Sequence, residues 1–149
     1  MQRRRRLARL TSMLQNCLHR EQLDDCVGSL IPGPALTIAE RAPIGEARGL
    51  LVEHRVAAIA VLDDHRELRG VVTRTDVLRA DDLATPVSEL MSMFIVALPW
   101  SASIDRAAAL IAYEGVGQVV VTGIRRSLLG IVSAVDITRY FAVAARARR

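Results

Sequence analysis

Apolar residues fall along this chain in short blocks, and the order of block types repeats. Residues 35–38 (ALTI) and 95–98 (IVAL) are brief apolar stretches bounded by turn formers, and each reads as a strand. Helical spacing follows both. Ile44, Ala47, Leu50 and Leu51 share one face in the first case, and Ile104, Ala107, Ala108 and Ile111 in the second. Pro43 and Ser103 are suitable openers for these helices. Next come compact strands, residues 57–62 (AAIAVL) and 118–122 (QVVVT). Polar turns DDHRE and GIRRS lead into ELRGVV and LLGIV, so each pair forms a hairpin. A second helix begins near Thr75 and near Val135. The expected fold class is α/β of the α+β type, built from two β-α-β-β-α repeats.

The repeat is visible residue by residue. Displaced by 60 positions, residues 27–79 lie over 87–139 without a gap, and 14 of the 53 positions are identical. The identities fall at apolar faces, at Gly70 and Gly130, at Asp76 and Asp136, and at two arginine pairs, Arg66 with Arg126 and Arg79 with Arg139. This divides the chain into residues 27–86 and 87–149, with DDLATPVSELM at 81–91 as the link. Residues 1–26 stand apart as a basic amphipathic helix and linker, with Leu7, Leu10, Leu14 and Leu18 on one face. That face suits packing on the repeat pair or on a dimer mate. A membrane-surface helix is the alternative, although the apolar stripe is thin.

Composition narrows the picture. The 149 residues are 51% hydrophobic but only 3% aromatic, so the core must be aliphatic. All 20 basic residues are arginine, and the formal net charge is +4. Residues 3–6 are all arginine, and Arg146, Arg148 and Arg149 add a second cluster. Such tails can bind nucleic acid or acidic partners, but no aromatic residues interleave with them, and a solvated terminus is expected. The stretch after the arginines is too polar for a signal peptide, and no apolar run is long enough to span a membrane, so a cytoplasmic protein is expected. Cys17 and Cys26 form no metal-binding spacing, and His19, His54 and His65 are scattered. Neither a catalytic triad nor a P-loop nor a metal cluster is present, so no enzyme is expected.

Two segments carry the candidate chemistry: residues 70–76 (GVVTRTD) and 130–136 (GIVSAVD). Each sits where a strand hands over to a helix. The hydroxyl of Thr73 or Ser133 can donate to a phosphate or ribose oxygen, and the Asp carboxylate can accept from ribose hydroxyls. A glycine in the strand permits close approach of a ligand or of another backbone. The same pattern, Ser/Thr followed three residues later by an acid, is also a helix capping box that needs no ligand. Its recurrence within two matching units favours binding.

Each unit resembles a CBS domain, the module named after cystathionine β-synthase. The resemblance covers about residues 27–142. It rests on PVSELM at 86–91, on 95–121 and on LLGIVSAVDI at 128–137, with the matching stretch of the first unit. It implies two three-stranded sheets packed about a pseudo-twofold axis, with two clefts between the copies. A cleft would bind AMP, ADP, ATP or S-adenosylmethionine as ligand. Asp76 and Asp136 would hold the ribose, assisted by Thr73 and Ser133. Val56, Ala57 and Ala58, and Val116, Gly117 and Gln118, would line the adenine pockets, with Thr37 and Ala97 near the base. Arg74 could meet a phosphate where Ala134 cannot, so the clefts should differ. The resemblance further implies a homodimer and a regulated protein partner.

Overall fold

The computed structural model describes residues 26–147 of the chain. The expected N-terminal helix lies outside the described residues. A short 3-10 turn, Val27–Leu30, opens the described chain. The first unit then runs β1 (Thr37–Ala39), α1 (Ile44–Glu53), β2 (Ala58–Leu62), β3 (Leu68–Thr73) and α2 (Arg74–Leu78). A single turn, α3 (Val87–Leu90), follows. The second unit runs β4 (Ala97–Pro99), α4 (Ile104–Glu114), β5 (Gln118–Thr122), β6 (Leu128–Ser133) and α5 (Ala134–Ala147). The chain is therefore mixed α/β, with the β-α-β-β-α order found twice.

Each unit builds one three-stranded sheet, ordered β1-β2-β3 and β4-β5-β6. β1 lies parallel to β2, with Thr37 opposite Ala60, and β3 lies antiparallel, with Thr73 opposite Ala58. The second sheet repeats this, Ala97 opposite Val120 and Ser133 opposite Gln118. The parallel pair needs a crossover, which α1 and α4 supply. The central strands are buried on both faces, which explains their unbroken apolar runs. On one face Ile59, Val61 and Val72 pack with Ile44, Ala47 and Leu51 of α1. On the other face Ala58, Ala60, Val71 and Val120 are buried outside either helix-covered core, where β2 lies against β6. Fully burying a Val or Ile side chain contributes roughly 1.5–3 kcal/mol, so these layers hold the two sheets together.

The two cores exchange segments. Val27, at the head of the first repeat, is buried in the core of the second unit beside Ile104, Val119 and Val132. Val87, its mate 60 residues on, is buried in the core of the first unit beside Ile44 and Val72. Reciprocal hydrogen bonds fix this: Val27 N–H donates to the Ala102 carbonyl at 2.7 Å, and Val87 N–H to the Ala42 carbonyl at 2.8 Å. The stretch read from sequence as a link is thus a structural part of the first unit, including the helical turn α3.

This exchange also explains the strand glycines. A Cβ at Gly70 would stand 2.6 Å from the Ser92 carbonyl oxygen, and a Cβ at Gly130 would collide with Ile31. Both glycines admit the exchanged segment, with Val71 and Ser92 bonded N–H to carbonyl in both directions. Of the two approaches foreseen for a strand glycine, it is the neighbouring chain that comes close.

Candidate functional site

The register of each sheet brings one end of three strands together. The N-termini of β1 and β2 lie beside the C-terminus of β3, because the first two are parallel and the third antiparallel. At that end of the first sheet stand Thr37, exposed at the start of β1, and Ala58, buried at the start of β2. Half-buried Val56 and exposed Ala57 lead into β2. Thr73 closes β3, and Arg74 opens α2 with its side chain exposed. Asp76 is 7% exposed and is the one buried charged residue among those described.

Asp76 is buried because its environment is polar where it matters. One carboxylate oxygen, Oδ2, accepts from the Thr73 backbone N–H and from the Thr73 hydroxyl, both at 2.7 Å. The Asp76 N–H donates back to Thr73 Oγ1 at 3.4 Å. The carboxylate therefore answers an otherwise orphaned donor at the start of the helix. The Thr73 hydroxyl has one proton, and it goes to Asp76. Donation from this hydroxyl to a ligand would require that proton to move. Asp76 Oδ1 is left uncommitted by the cap, and no ion pair reaches it among the described residues.

The second site repeats the geometry with different details. Ala97 is exposed at the start of β4, half-buried Val116 and exposed Gly117 precede β5, and half-buried Gln118 begins it. Ser133 closes β6, its backbone N–H and hydroxyl donating to Asp136 Oδ2 at 2.9 and 2.6 Å. The Asp136 N–H returns to Ser133 Oγ at 3.3 Å. Here the other oxygen is engaged: Arg139 Nη1 stands 3.6 Å from Asp136 Oδ1. The Gly117 carbonyl is also engaged, accepting from Ala134 N–H at 2.9 Å.

Sequence reasoning missed Arg139. The i,i+3 spacing of Asp136 and Arg139 on one helix is the signal that could have found it, although Asp76 and Arg79 stand at the same spacing without such a pair. His54 is exposed at the C-terminal end of α1, and His65 is exposed in the first hairpin turn. Asp63 and Asp82 serve their own turns, accepting from backbone N–H groups of residues two to four ahead. Among the described residues no group of His, Cys, Asp or Glu could hold a metal ion, and no helix is long and apolar enough to cross a membrane.

Known proteins share this pattern. The CBS domain family model matches residues 27–82. The CBS domain-containing protein YhcV of Bacillus subtilis is 30% identical over 106 residues, covering 68% of this chain and 74% of that protein. L-aspartate semialdehyde sulfurtransferase of Methanocaldococcus jannaschii is 25% identical over 116 residues. The chain spans only 23% of that enzyme's length, though the match covers 77% of the chain. Among solved structures, the CBS domain pair of protein MJ0100, in complex with methylthioadenosine and S-adenosyl-L-methionine, superposes with a TM-score of 0.74 at 24% identity. It covers 80% of this chain and 97% of that one. CBSX2 in complex with AMP superposes at 0.68 with 23% identity, covering 84% of this chain and 99% of that one.

Proposed function

This chain belongs to the CBS-domain family, and from that premise we propose that it is a regulatory module whose clefts bind an adenine nucleotide or S-adenosyl ligand. The observation that carries the reading is the recurrence of one polar constellation at the same end of both sheets. In each, a buried or half-buried carboxylate stands beside the first residues of two parallel strands. Asp76 Oδ1 is positioned to accept from the ribose hydroxyls while Oδ2 keeps the helix capped. Val56, Ala57 and Ala58 offer a narrow apolar wall for the base, and Thr37 lies beside it. Arg74, exposed at the helix start, meets a phosphate. In the second cleft Val116, Gly117 and Gln118 form the wall, with Ser133 and Asp136 at the ribose. The complexes of MJ0100 and CBSX2 with adenosyl compounds and AMP support this choice of ligand class.

Binding acts as a signal only if one arrangement of the two units binds better than another. The buried β2–β6 layer is where such an arrangement would differ, and the coupling expected is about 1–3 kcal/mol. A protein partner that prefers one arrangement reads the ligand. The module works in the cytoplasm, as a homodimer, and performs no chemistry of its own. The nucleic-acid reading through the N-terminal arginines is the weaker one.

One observation favours a second reading, an interaction scaffold with idle clefts. Both capping boxes are complete without a ligand. A thermal-shift series on ligand-free protein with AMP, ADP, ATP and S-adenosylmethionine separates the two. At 100 times its dissociation constant a ligand stabilises by about 2.7 kcal/mol, a rise of roughly 5–10 °C for a chain of this size. Flat melting curves across the series would leave the scaffold.

A further inference from the structure

The helix α5 outruns the core beneath it. It has 14 residues where its counterpart α2 has 5. Its inward face begins with Ile137, buried in the second core, and Tyr140, packed against that core. Helical spacing of 3.6 carries the same arc onward through Phe141 and Ala144, with Val143 on its Tyr140 flank. There the cover ends, for Phe141 is 41% exposed and Val143 is 63% exposed. An apolar arc that continues past its core calls for a second layer.

The chain enters the described fold beside this arc. The turn Val27–Leu30 lies against α5, and Val27 shares a buried cluster with Ile137. Its direction is fixed by hydrogen bonds from Val27 and Gly28 to the carbonyls of Ala102 and Trp100, at 2.7 and 2.9 Å. Upstream of this anchor the sequence holds Leu7, Leu10, Leu14 and Leu18 at one-face spacing. Residues 7–18 as a helix would be about 18 Å long, close to the roughly 21 Å of α5. The eight residues 19–26 can reach as far as about 26 Å when extended, so the segment can turn back along α5.

We propose that residues 7–18 pack as an amphipathic helix over the Phe141, Val143 and Ala144 arc of α5 in the same chain. Leu10 and Leu14 are the central contacts. The tether favours this occupant over a second copy, because a short linker holds the segment at an effective concentration in the millimolar range. The docked segment steadies the helix whose first turn carries Asp136, so the tail bears on the second cleft.

The test is hydrogen exchange on the full chain, comparing wild type with a Leu10→Asp/Leu14→Asp variant. Amides 139–147 should exchange about tenfold faster in the variant, with β2 and β5 unchanged. Wild-type protection should not vary with protein concentration. Equal exchange of α5 in both proteins would overturn the proposal, as would protection that fades on dilution, which would assign the face to a second copy. A nitroxide on Cys17 in a Cys26→Ser chain gives an independent readout of position. It should broaden the amides of α5, and broadening confined to other elements would sink the assignment.

Discussion

At the hairpin of the first unit, Asp63 folds its carboxylate over the turn and accepts from the N–H groups of His65 and Glu67 at 2.8 and 2.9 Å. The Glu67 N–H foremost, with that of His65, holds this carboxyl below its ordinary value. Its mate in the second unit is Gly123, which has no side chain to do this; Arg66 and its mate Arg126 both take positive φ, and in the second hairpin Arg125 does so as well. The helix ends differ in the opposite sense. Gly115 ends α4 at φ 65°, a conformation free for glycine, while Arg55 holds the matching place after α1 at φ 53°. Similar contrasts run through the two candidate sites: Arg74 matches Ala134 in the pattern, and Asp136 is paired with an arginine where Asp76 is not. Two copies of one backbone have kept the hydrogen-bonded frame and let the surface chemistry diverge. The frame is costly to alter because its polar groups are buried. The surface positions are cheap to alter because water serves any of them.

The comparison can be broken most forcefully at the strand glycines. Gly70→Ala should cost about 3 kcal/mol in chemical denaturation, because the new methyl meets the fixed backbone oxygen of Ser92. Gly130→Ala should cost about 1 kcal/mol, because it meets only the side chain of Ile31, which can shift. Equal losses would mean that the exchanged segments are equally rigid.

The clefts sharpen it next. Hydrogen bonds to a charged group are worth about 1.5–3 kcal/mol, so Asp76→Ala should weaken binding of an adenine ligand in the first cleft by roughly 10- to 100-fold in calorimetry. The accompanying loss of the cap should lower stability by about 0.5–2 kcal/mol. Arg139→Ala should move the second cleft toward the first, raising its affinity while changing stability by less than about 1 kcal/mol, since the Arg139 side chain is largely exposed and 3.6 Å from the carboxylate. Unchanged binding in Asp76→Ala with lowered stability would reduce the acid to a cap.

The smallest effect is expected at the helix end. Arg55→Gly should raise the melting temperature slightly, by relief of up to about 1 kcal/mol of left-handed strain. The control Gly115→Arg should lower it by a similar amount. A fall in both would show that the Arg55 side chain contributes more than its backbone costs.

Much of this was legible in the linear pattern because each signal there is local. The helix openers Pro43 and Ser103 stand at the N-caps of α1 and α4, and Ser103 Oγ accepts from Arg106 N–H at 3.2 Å. The strands β2 and β5 fall within the apolar runs that announced them. The first strands were displaced, found at Thr37–Ala39 and Ala97–Pro99, since three residues carry little periodicity. The recurring Ser/Thr and Asp, three residues apart, stand at the starts of α2 and α5 as the capping pairs. The capping box read there is present in both units, but that it leaves Asp76 Oδ1 uncommitted while Asp136 Oδ1 lies beside Arg139 was not legible, because it depends on rotamers within a single turn.

The sequence alone determined the order of elements, the 60-residue repeat and the aliphatic character of the core, all of which follow from spacing and side-chain type. Tertiary structure alone decided that Val27 and Val87 each complete the opposite core, and that Gly70 and Gly130 make room for neighbouring chain. These are contacts between residues brought together by folding. Spacing along the chain cannot encode them, because the same apolar valine satisfies either core.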